Sequence, residues 1–120
     1  MSPHSVWKFL FAVLVVGCAT PYQVGVRAYS LADYPAAAEA FQHVDTQPLS
    51  AADRARVTLY TGLTYLALGD THLAVGYLTL ARLTREHDPT LFEPVDARRL
   101  ESAWTALGLM PGDAPVVARH

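Results

Sequence analysis

The sequence predicts an all-α domain: two helical hairpins followed by a C-terminal capping helix. Three observations carry that expectation. Apolar residues recur at helical spacing, in Tyr22, Val26 and Tyr29, in Leu59, Leu63 and Leu66, and in Ala97, Leu100, Trp104 and Leu107. No stretch alternates apolar and polar residues with the period of two expected of a half-buried strand. Compared with itself, the chain shows a constant offset of 37 residues. This offset pairs Gly25 with Gly62, Tyr29 with Leu66, Leu31-Ala32-Asp33 with Leu68-Gly69-Asp70, Ala37 with Ala74, Phe41 with Leu78 and Val44 with Ala81.

The pattern gives helices over 21–32, 35–45, 51–68, 71–87 and 94–107. Small Gly25 and Ala37 let the first two approach closely while Phe41 fills the space beside them; Asp33 lies in the turn, and Pro35 suits a first helical turn. Ser50-Ala51-Ala52-Asp53 has the spacing of an N-terminal capping arrangement for the third helix, and Gly69 suits its exit. The second hairpin repeats the first, with Gly62, Ala74 and Leu78 as the packing set and Asp70 in the turn. Its second helix carries Leu73, Val75, Tyr77, Leu78, Leu80, Ala81 and Leu83, apolar on more than one side, so part of it must meet the capping helix or a second subunit. The charged cluster Arg82, Arg85, Glu86 and Asp88 at its end reads as solvated. On the fifth helix Leu100, Trp104 and Leu107 cover the second hairpin while Asp96, Arg98, Arg99 and Glu101 face water. Gly108 suits its exit, and Pro111 and Gly112 prevent its continuation.

At these residues the chain resembles the tetratricopeptide repeat, with its small-residue slots and a Gly-Asp-Tyr-like turn, here Ala32-Asp33-Tyr34 and Gly69-Asp70-Thr71. The resemblance covers residues 20–88 and departs in three ways. The offset is 37 rather than the family's 34, Pro21 or Thr58 stands where a large aromatic often opens the first helix, and the closing proline is missing from its usual offset. Trp104-Thr105-Ala106-Leu107-Gly108 matches the opening of a further repeat, but Pro111 would fall inside its first helix, so residues 94–107 read as a cap. The fold this implies is a fragment of an α-solenoid.

The N-terminus reads differently. Lys8 precedes an apolar run from Phe9 to Val16, followed by Gly17-Cys18; the run is too short to span a bilayer and has the form of a secretory signal. Val15-Val16-Gly17-Cys18 resembles the lipobox of bacterial lipoproteins, with Val15 where Leu is preferred and Val16 where Ala or Ser is usual. The resemblance implies cleavage before Cys18 and acylation of its thiol, and two or more acyl chains give stable anchoring where one is marginal. Ala19, in place of an aspartate, implies export to the outer membrane. The organisation expected is a signal peptide over 1–17, a helical domain over 18–110 and a fraying tail over 111–120.

Composition narrows the function. Nine basic and 11 acidic residues give a net charge of −2, which disfavours nucleic acid. One cysteine allows neither an internal disulfide nor a structural zinc site. His43, His72, His87 and His120 have no metal-ligand spacing, and no nucleotide or hydrolase fingerprint is present, so neither a cofactor nor an enzyme is implied. By resemblance to tetratricopeptide arrays, the first helices line a concave face, here Tyr22, Val26, Tyr29 and Ser30 with Arg56, Leu59, Leu63 and Leu66. Two readings of these residues stand: a core covered by residues 94–107, or a groove taking an apolar helix or extended segment of a partner. The function expected is that of a non-enzymatic outer-membrane lipoprotein, held by its lipid anchor. It would bind another envelope protein as an assembly or stability factor of a secretion, pilus or motility machine. The alternative is a docking regulator of a peptidoglycan enzyme, and self-association is compatible with both.

Overall fold

A computed structural model describes residues 19–46 and 48–108. Cys18, the expected signal peptide over 1–17 and the expected tail over 111–120 lie outside the described residues. Among those residues the chain is all-helical, with α1 at Pro21–Ser30, α2 at Tyr34–Phe41, α3 at Ala51–Ala67, α4 at Thr71–His87 and α5 at Pro94–Ala106. Short 3₁₀ turns occupy Val44–Thr46 and Pro89–Leu91. No described helix is long and apolar enough to cross a membrane.

Each start has a local cause. Thr20 and Gln23 form a reciprocal capping box on α1, with Pro21 in the first turn. Asp33, Ser50 and Asp70 each accept the backbone N–H three residues on, capping α2, α3 and α4. Glu93 makes no such bond, and α5 opens instead on Pro94.

The two tight turns share one geometry at the 37-residue offset. After α1, Ala32 N–H donates to Tyr29 O and Asp33 N–H to Ala28 O, with Ala32 at φ 59°. After α3, Gly69 N–H donates to Leu66 O and Asp70 N–H to Tyr65 O, with Gly69 at φ 82°. This is the Schellman exit, whose left-handed residue reverses the chain so that the next helix packs back on the last. It ends α1 at Ser30, two residues before the expected boundary. Helix α2 also ends early, at Phe41 rather than 45, because His43 N–H turns back to Ala40 O and the 3₁₀ turn carries Val44 into the core.

Within each pair the glycine slots hold as the repeat predicts. A Cβ on Gly25 would lie 2.4 Å from the Phe41 ring, and one on Gly62 would lie 2.9 Å from Leu78. Ala37 and Ala74 are fully buried between the paired helices. Helix α3 is the hub: it packs against α1, α2, α4 and α5, and its Leu59, Tyr60 and Thr64 are completely enclosed. The Thr64 hydroxyl is satisfied by Tyr60 O.

Helix α5 covers α3 and α4 with Leu100, Ala103 and Trp104. Two expectations fail here. Asp96 does not face water but is 2% exposed, because it shares the inward face with Leu100 and Ala103 at helical spacing. Arg82 is not solvated either: its guanidinium lies 5.0 Å from the Trp104 ring centre and 3.6 Å from Glu101, and Arg85 donates to Glu101 at 2.8 Å. These contacts fasten α4 to α5.

Candidate functional site

Where α1, α3 and α5 meet, the polar residues form one connected group. The Tyr60 hydroxyl donates to Asp96 Oδ1 at 2.8 Å. Arg56 Nε stands 3.4 Å from Asp96 Oδ2, its guanidinium lies over the Tyr60 ring, and its Nη1 donates to the Tyr22 hydroxyl at 3.4 Å. Arg99 donates to the Tyr60 hydroxyl and lies over the Tyr29 and Tyr60 rings. Those two rings sit 5.0 Å apart, and Tyr34 meets Tyr29 edge-on. Asp96 is thus a buried carboxylate held by a hydroxyl and a guanidinium, the arrangement a buried charge requires.

Burial pushes the hydroxyls of Tyr22, Tyr29 and Tyr60 above the usual tyrosine range, with Arg56 or Arg99 partly opposing it. For Arg56 burial acts downward, and the Tyr60 and Tyr22 hydroxyls more than offset it, so the guanidinium is held more firmly cationic than usual. Near neutral pH the tyrosines are neutral and Arg56 is charged. This group fixes charge in place rather than moving protons.

Beside it runs an open cleft of about 610 Å³. Tyr29, Leu63, Leu66 and Ala67 form its floor on α1 and α3, and Val95, Arg98, Arg99, Ser102, Ala103 and Ala106 form its wall on α5. The lining is apolar below and carries two guanidiniums above, with no carboxylate among these residues.

The sequence-derived groove divides between the two readings. Leu59 is core with no exposure and lines no open surface, while Arg56 is engaged with Asp96 and Tyr22 and keeps its side chain 34% exposed. Tyr22 and Val26 are half-buried against the core. Tyr29, Leu63 and Leu66 do come together, as the cleft floor. The α5 wall and the Asp96–Tyr60 link escape the sequence reading, although the spacing of Asp96, Leu100 and Ala103 on one helical face was a readable signal. Cys18 lies outside the described residues. Among the described residues no three His, Cys, Asp or Glu side chains gather as metal ligands would. No protein-family model, curated protein or solved structure matches this chain.

Proposed function

We propose that this chain is an outer-membrane lipoprotein, anchored through acyl groups on Cys18, whose helical unit is a non-enzymatic tetratricopeptide-like adaptor in an envelope secretion, pilus or motility machine. The observation that carries the adaptor reading is the cleft: an apolar floor of Tyr29, Leu63 and Leu66 under Arg98 and Arg99, without a carboxylate in the lining. Such a surface suits a partner segment that offers apolar side chains to the floor and an acidic side chain to the guanidiniums. The matched turns at Ala32 and Gly69 and the matched slots at Gly25 and Gly62 support the repeat assignment. The apolar run ending in Gly17-Cys18 supports the anchor.

Two measurements test this. Intact mass and membrane fractionation of the native protein beside Cys18→Ser, in a double-membrane bacterium, should give residues 18–120 plus acyl chains, with the modification and the membrane association lost in the variant. An unmodified mass defeats the anchor. A photoreactive residue placed at exposed Ser102, on the cleft wall, should crosslink an envelope protein in cells, and Arg98→Glu should abolish that crosslink with helicity unchanged. A crosslink indifferent to Arg98→Glu defeats the cleft.

A further inference from the structure

The two guanidiniums of the cleft wall are not equivalent. Arg99 donates through Nη1 to the Tyr60 hydroxyl, and its guanidinium carbon lies 6.0 Å from the Tyr29 ring centre and 5.5 Å from that of Tyr60. Arg98 is exposed and makes no hydrogen bond, ion pair or ring contact among the described residues. The direction of the Arg99 bond is fixed from beneath. Tyr60 has one hydroxyl proton, and it goes to Asp96 Oδ1 at 2.8 Å, because a carboxylate only accepts. Toward Arg99 the same oxygen therefore acts as acceptor, which is what a guanidinium, a donor only, requires. Tyr60 is 1% exposed and Asp96 2%, so water does not reach the hydroxyl between them, and each bond polarises the next. Arg99 is thus set against Tyr29, a residue of the cleft floor, before any partner arrives. The rest of its N–H donors remain, on a planar fork whose geometry matches a carboxylate.

We propose that Arg99 is the residue that receives the partner's carboxylate in this cleft, with Tyr60 and Asp96 as its positioning residues, while Arg98 supplies charge alone. The inference rests on the cleft reading above and adds the chemistry of its polar anchor: an Asp or Glu side chain taken by a preset fork rather than by a mobile cation. The reason for the division is conformational entropy. An arginine side chain has many rotamers, and ordering it on binding opposes association. At Arg99 the hydroxyl and the two ring faces have already ordered it. At Arg98 the partner must do so, and a lysine would serve there as well. Tyr60 and Asp96 are too deeply buried to touch a partner and act only through Arg99.

The probe is hexanoate, whose carboxylate and alkyl chain stand in for an acidic side chain beside apolar ones, with hexanamide as its neutral counterpart. Binding to the full chain is read by NMR at the methyl groups of Leu63 and Leu66 on the cleft floor. Hexanoate should bind saturably in the millimolar range, and hexanamide about fivefold more weakly. Tyr60→Phe keeps the ring and removes the acceptor, and Arg99→Lys keeps the charge and removes the fork; each should weaken hexanoate binding about fivefold. Arg98→Lys should lose less than twofold and Arg98→Gln about fivefold. Arg99→Lys alters an exposed side chain, so its loss of binding with an unchanged circular-dichroism melt separates positioning from folding. Equal losses in Arg98→Lys and Arg99→Lys, or hexanoate binding unchanged by Tyr60→Phe, overturn the proposal and leave the cleft to its own test, the Ser102 crosslink. Hexanamide binding as tightly as hexanoate, or no hexanoate binding, also overturns it, because the cleft then takes no carboxylate.

Discussion

Ala32 is the one non-glycine residue among those described with a positive φ, at 59°. Its repeat partner Gly69 does the same work without a Cβ, so the first hairpin carries a left-handed strain of about 1–2 kcal/mol that the second lacks. Ala32→Gly should relieve it, less the entropy that glycine adds to the unfolded chain. The expected net gain is about 0.5–1 kcal/mol, checked by urea unfolding; a loss would show that the turn is not strained. Gly25 behaves oppositely. A methyl there would meet the Phe41 ring at 2.4 Å, so Gly25→Ala should lose about 1–3 kcal/mol through overpacking, measured in the same titration. The close approach was legible in the sequence as a small residue recurring at a fixed offset. The strain at Ala32 was not, because the repeat pairs it with a glycine without saying which of the two has the wrong side chain for the turn.

At the scale of elements, α5 is held to α3 by Asp96. Removing its carboxylate leaves Arg56 and the Tyr60 hydroxyl without their buried partner, and Asp96→Ala should cost about 3–5 kcal/mol by thermal or chemical unfolding. A surface-like effect of a few tenths would refute the role. The same junction sets an alkaline limit. Tyr22, Tyr29 and Tyr60 have hydroxyl pKa values raised above 10.0, in each case chiefly by burial. Groups held neutral by the fold give stability that is complete below the unfolded value and is lost as pH rises through the folded one. Stability should therefore stay level from neutral pH to about 9 and fall above 10, and Tyr60→Phe should flatten that fall. Urea titrations between pH 7 and 11 compare the two slopes, and equal slopes would exclude Tyr60 from the effect. The sequence marked α5 as a cap through Leu100, Trp104 and Leu107. It hid the polar half of the contact, because an aspartate in a first helical turn reads as an N-terminal charge and here reaches across to another helix instead.

For the whole molecule, one helix touches all the others. Because α3 packs on α1, α2, α4 and α5, no pair of helices has a core of its own, and the described unit should unfold in a single step. Far-UV circular dichroism and Trp104 fluorescence should report coincident transitions; two separated steps would mean that the hairpins are independent. Trp104 is 1% exposed between α4 and α5, and Trp104→Ala should lower the stability read from the circular-dichroism transition by about 3–5 kcal/mol. Against a typical total of about 5–15 kcal/mol, that is a large share for one side chain.

The sequence by itself determined the all-helical class, the starts of all five helices to within a residue, the two matched turns and the glycine slots. These follow from caps, prolines, glycines and apolar period, which act within a few residues and leave their mark in order along the chain. Tertiary structure alone decided how α5 is rotated as it lands on α3. That rotation draws Asp96 to Tyr60 across 36 residues of sequence, lays Arg82 on Trp104 and leaves the cleft open beside Arg98 and Arg99. The physical reason is that a helix wheel fixes which residues share a face but not what that face meets. Pairing a buried carboxylate with a distant hydroxyl and guanidinium is settled only when the helices dock.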